Sequence, residues 1–84
     1  MKHAGPAALD QLEPILRQLR KLEGLREPKR GLFYRGSSAF LHFHEDPAGM
    51  FADIKLDGAF QRFRVSTRKE IDALLARAAR ALKG

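Results

Sequence analysis

The stretch Phe40-Leu-His-Phe-His-Glu-Asp-Pro-Ala-Gly-Met-Phe-Ala-Asp-Ile54 decides the fold. Residues alternate on both sides of Asp46-Pro47-Ala48-Gly49. Leu41, Phe43, Ala52 and Ile54 fall on one face, and His42, His44 and Asp53 on the other. Alternation with period two reads as β-strand, and the proline–glycine break turns the chain back into an antiparallel hairpin.

Working outward, Asp57-Gly58 is a strong hairpin signal, because both residues tolerate the positive φ of a type I′ turn. Gly36-Ser37 supplies a further turn on the N-terminal side. Four strands result, at Leu32–Arg35, Ser38–Glu45, Met50–Leu56 and Ala59–Val65. The turns fix the register. Leu56 faces Ala59, Ile54 faces Gln61, Ala52 faces Phe63 and Met50 faces Val65. Glu45 faces Met50, Phe43 faces Ala52 and Leu41 faces Ile54. Arg35 faces Ser38, Tyr34 faces Ala39 and Leu32 faces Leu41. One face of every pair is mainly apolar, and a one-residue slip would move the whole set to the other face.

Helices flank the sheet. Leu9, Leu12, Leu16 and Leu19 recur at helical spacing from about Ala7, with Ile15 and Leu22 beside them. Pro14 costs about 3 kcal/mol in a helix interior, so the helix is expected to start near Glu13 or to kink there. Gly24 is a natural stop. Residues 1–6 read as a loose tail, and Leu25–Gly31 as a basic loop. Thr67 with Glu70 three residues on is a capping box. It opens a helix whose apolar stripe is Ile71, Leu74, Leu75, Ala78 and Leu82. The expected fold is a single α+β domain over 1–84: helix, four-stranded antiparallel meander, helix, with both helices on the Leu41/Phe43 face.

The same register builds the opposite face in rows. Phe33, Phe40, Lys55 and Phe60 form one, His42, Asp53 and Arg62 the next, and His44, Phe51 and Arg64 the last. Phenylalanines among charges suggest a contact surface for a protein partner or a second copy of the chain. His42, Asp53 and Arg62 would then fix its register or sense pH near neutrality.

With 84 residues, no cysteine and no run of about 20 apolar residues, the chain offers no disulfide, no thiolate chemistry and no membrane-spanning helix. Its N-terminus lacks the apolar core of a signal peptide, and a cytoplasmic location is expected. No cofactor motif is present. His42 and Asp53 could form the orienting half of an acid–base pair, but Ser37 and Ser38 lie in a turn and Ser66 and Thr67 suit capping. Without a nucleophile, a non-enzymatic role is expected. His42-x-His44 could ligate a divalent metal, with Asp53 as a third ligand; the two histidines are expected to lack a close third nitrogen or sulfur, and Arg62 opposes a cation. The formal net charge of +6 offers nucleic acid as an alternative partner, contacted by Arg26, Lys29, Arg30, Arg35, Arg68 and Lys69.

The run Asp57-Gly58, a strand, Ser66-Thr67-Arg68-Lys69-Glu70 and an Ala/Leu-rich helix resembles the end of a double-stranded RNA-binding domain. That resemblance implies phosphate contacts from Arg68 and Lys69, and it places Asp46-Pro47-Ala48 at the first strand turn. The strand at Leu32–Arg35 departs from it. Residues 31–54, from Gly31-Leu-Phe-Tyr-Arg-Gly-Ser-Ser through the hairpin quoted above, resemble the central stretch of small uncharacterised bacterial proteins. This second resemblance implies a stand-alone domain and brings no activity.

Overall fold

The computed structural model describes residues 1–83. The fold is α+β, with two helices and one antiparallel sheet. The elements are β1 (Lys2–His3), α1 (Pro6–Arg20), β2 (Leu25–Lys29), β3 (Leu32–Arg35), β4 (Ser38–Asp46), β5 (Gly49–Leu56), β6 (Ala59–Arg64) and α2 (Arg68–Lys83). The main path of the sheet runs β2-β3-β4-β5-β6, and β1 pairs with β4. The meander is therefore larger than the four strands expected.

The central hairpins have the register that alternation dictates. Leu41 pairs with Ile54, Phe43 with Ala52 and Glu45 with Met50. Ala52 pairs with Phe63, Ile54 with Gln61 and Leu56 with Ala59. Asp57 and Gly58 take φ of 53° and 82°, the left-handed pair that a type I′ turn requires. Leu41, Phe43, Ala52 and Ile54 join Leu12, Ile15, Leu16 and Leu19 of α1 and Leu74 and Ala78 of α2 in one core. The capping box is formed: Glu70 N–H donates to Thr67 Oγ1 (3.2 Å), and Thr67 N–H donates back to Glu70 Oε1 (3.0 Å).

Four expectations are corrected. Residues 1–6 are not a loose tail. β1 lies along the end of β4 that the short β3 leaves free, pairing Lys2 with Glu45 and His3 with His44. Ala4 N–H donates to Phe43 O (3.1 Å), and Gly5 N–H to Glu45 Oε2 (2.7 Å). Second, most of the basic loop is strand β2, an edge strand that pairs with β3 around the Arg30-Gly31 turn. Third, α1 does not start near Glu13: it runs from Pro6 to Arg20 with Pro14 inside it. The five buried residues of that helix include Leu12, Ile15, Leu16 and Leu19. At about 1.5–3 kcal/mol for each large apolar side chain, their burial exceeds the roughly 3 kcal/mol that an interior proline costs. Arg30 fastens the same turn, donating to Asp10 Oδ1 and Glu13 Oε1 at 2.8 Å each.

The fourth correction decides the open face. Tyr34 pairs with Ala39 and Arg35 with Ser38 as expected, but the register then shifts. Phe33 pairs with Leu41 and Leu32 with His42, which leaves Phe40 as the extra residue of a bulge. Phe33 and Phe40 are consequently core residues, 1% and 3% exposed.

Candidate functional site

Adjacent strands assemble a polar cluster on the sheet face turned away from that core. β4 places His42 and His44 two residues apart, on the same side of the pleat. β5 sets Asp53 across from His42, and β6 sets Arg62 across from Asp53. β1 adds His3 across from His44. The three imidazoles touch one another. Ring centroids are 4.7 Å apart for His3–His44, 5.0 Å for His42–His44 and 5.8 Å for His3–His42. Phe60 closes one side, 5.1 Å from the His42 ring.

The electrostatics centre on Asp53, which is 8% exposed. Arg62 grips it with a two-pronged fork, Nε donating to Oδ1 at 2.7 Å and Nη2 to Oδ2 at 2.9 Å. The fork holds the Asp53 carboxyl below its ordinary range despite burial, and it raises Arg62 in turn. Burial lowers the pKa of His42 and outweighs the pull of Asp53, so this ring is neutral at neutral pH. His44 Nε2 stands 3.1 Å from Asp53 Oδ2 but off the line of a hydrogen bond. Both ring nitrogens of His44 and Nδ1 of His42 are buried without a hydrogen-bond partner.

The structure thus brings together His42, His44, Asp53 and Arg62 of the expected face and adds His3. Phe51 is half-buried across from Arg64, and Arg64 reaches Glu70 at 3.9 Å. Phe33 and Phe40 are absent from the surface, and Phe60, 44% exposed, is the aromatic left open on it. His3 escaped the sequence reading because a two-residue strand has no periodicity. One signal pointed to it: a four-residue strand beside an eight-residue one leaves backbone groups that some other segment must pair.

The basic residues expected to contact nucleic acid are dispersed and partly engaged. Arg30 is held by Asp10 and Glu13, and Arg68 by Asp72 at 3.2 Å. Arg26 lies over the Tyr34 ring, and Lys29 and Lys69 are exposed. Arg35 donates to Ala81 O (3.1 Å) at the edge of a different feature, an open cleft of about 870 Å³. Lys55, Arg77 and Arg80 also line that cleft, opposite a single carboxylate, Asp57. Arg77 stacks on Phe63 at 4.3 Å and Lys55 on Phe60 at 5.3 Å.

No helix among the described residues is long and apolar enough to cross a membrane. Compared with family models, with curated proteins and with solved structures, the chain finds no match in any of the three.

Proposed function

We propose that the chain is a non-enzymatic binding module that takes its partner on the open face of the sheet, at His3, His42, His44, Asp53 and Arg62. One observation carries this reading: buried ring nitrogens of His42 and His44 that have no hydrogen-bond partner within the chain. Buried polar atoms are almost always paired, so a partner from outside completes them. Phe60 offers apolar area beside them. The hydroxyls nearest to catalytic use are spent on structure, since Ser66 Oγ and Thr67 Oγ1 accept backbone N–H groups. A symmetric homodimer in the cytoplasm is the simplest setting for such a face.

The test is a set of amide and imidazole shift titrations on the same labelled protein, with protein concentration, Zn²⁺ and a short RNA duplex as variables. The expected result is movement centred on His42, His44, Asp53 and Arg62 in at least one series. Stationary signals at those residues in all three would overturn the reading.

A second reading, nucleic-acid binding, is favoured by the cleft of Arg35, Lys55, Arg77 and Arg80. Arg35, Lys55 and Arg77 have no acidic partner within 4 Å among the described residues. Duplex-induced shifts confined to these residues, lost between low and moderate salt, are expected if phosphates lie there.

A further inference from the structure

We infer that the ligand of the open face is a divalent transition-metal ion held by ring nitrogens of His3, His42 and His44, an inference that rests on reading that face as the binding surface. Each of these side chains offers a ligand nitrogen, and the three nitrogens lie within 4.8 Å of one another. Ligands of a tetrahedral ion, each about 2.0–2.1 Å from the metal, stand about 3.3–3.4 Å apart. The difference to be closed is on the scale of side-chain rotations, and the strand pairing already holds the three rings together. His42 and His44 sit on β4, which is paired along both edges. His3 is exposed on a strand of two residues, so it is the ring with room to swing inward.

Donor chemistry chooses a cation over an anion. Arg62, which alone would oppose a metal, is forked onto Asp53, so the pair carries no net charge. The donors are imidazoles, with no thiolate available in the chain. This set suits Zn²⁺, Ni²⁺, Cu²⁺ or Co²⁺, whereas Mg²⁺ and Ca²⁺ need a shell of oxygens. Three protein ligands also leave one coordination position for water or a partner's group.

Asp53 becomes a positioning residue. A small rotation of the His44 ring brings Nε2–H onto Asp53 Oδ2, already 3.1 Å away, and leaves Nδ1 as the ligand atom. Metal-bound histidines commonly donate their second nitrogen to a carboxylate in this way. The three orphaned nitrogens of His42 and His44 are all accounted for: a metal engages one on each ring, and Asp53 takes the other on His44.

The experiment is calorimetry with Zn²⁺ and visible absorption with Co²⁺ on the untagged full chain, with a dilution series of amide shifts alongside. One ion per chain and the intense visible bands of low-coordinate Co²⁺ are expected. His3→Ala removes an exposed ring, and the metal-free variant should still show a single cooperative thermal transition. It should weaken Zn²⁺ by more than the roughly 10–100-fold expected for Asp53→Asn, an outer partner. Absence of one-to-one binding, or equal affinity of His3→Ala and the parent, would overturn the three-histidine centre. If metal fails but signals at His42, Asp53 and Arg62 move with protein concentration, the metal inference falls and the binding face stands. If metal, dilution and the RNA duplex all leave them unmoved, both fall.

Discussion

His3 stands directly across from His44 in the β1–β4 ladder, with the two rings stacked at 4.7 Å. This contact joins the N-terminal segment to the middle of the sheet. It converts a two-histidine strand face into a three-histidine cluster. It also explains how His44 comes to be 8% exposed on a face away from the core: the His3 ring lies over it.

The bulge at Phe40 gives the sharpest test of the fold. Phe33→Ala or Phe40→Ala deletes a ring from the core and should cost about 3–5 kcal/mol. That is a large part of the roughly 5–15 kcal/mol available to a domain. Phe60→Ala, at a residue 44% exposed, should cost under about 1 kcal/mol. Urea unfolding of the three variants measures the difference. Equal, small effects would restore Phe33 and Phe40 to the open face.

What could be read from the residues follows from where the physics is local. The β4–β5–β6 hairpins were legible because Asp57-Gly58 and strict alternation act within a few residues. The α2 start was legible because Thr67 and Glu70 satisfy each other's N–H groups. Strand β2 was not, since Pro28, Arg26 and Lys29 look like loop residues. Edge strands carry proline and charge to discourage further pairing, so the same features fit an edge. The bulge beside Phe33 depends on how two strands meet the core and leaves no mark on either strand alone. Four of the five site residues, His42, His44, Asp53 and Arg62, followed from the register. His3 did not, because its partner is far away in sequence.

Glycine positions should respond unequally to substitution. Gly31 and Gly36 both have positive φ, 81° and 63°. Alanine at either site pays the left-handed backbone cost of about 1–2 kcal/mol. At Gly36 a Cβ meets open space, whereas at Gly31 it would come within 2.5 Å of Leu9 Cδ2 on α1. Gly31→Ala should therefore lower the thermal midpoint more than Gly36→Ala. Equal midpoints would show that Leu9 shifts freely and that the β2–β3 turn is not seated on α1.

Acid should weaken the attachment of β2 to α1. Glu13 accepts from Arg20 (2.6 Å) and Arg30 (2.8 Å), and these bonds lower its pKa from the usual 4.5 to about 2. A carboxyl lowered on folding contributes stability that is fully present above its unfolded pKa and is lost as pH falls through the folded value. The window thus runs from about pH 4.5 down to about 2. Glu13→Gln should be less stable than the parent at neutral pH and should show a flatter decline across that window. Thermal midpoints measured from pH 2 to 7 test this, and parallel curves would remove Glu13 from the acid response.

The N-terminal strand should be released by a single change at Glu45. Its carboxylate accepts from Gly5 N–H at 2.7 Å and lies 3.8 Å from Lys2 Nζ. A hydrogen bond to a charged group contributes about 1.5–3 kcal/mol, and each 1.4 kcal/mol is tenfold in an equilibrium. In Glu45→Ala, amide exchange at Ala4 and Gly5 should accelerate by at least about tenfold, while Ala52 and Ile54 in the sheet centre keep their protection. Because β1 carries His3, the stacked contact with His44 should loosen with it, visible as a change in the His44 ring signals. If Ala4 and Gly5 exchange at the parent rate, the two-residue ladder with Ala4 N–H on Phe43 O is sufficient to hold the segment, and Glu45 is dispensable to it.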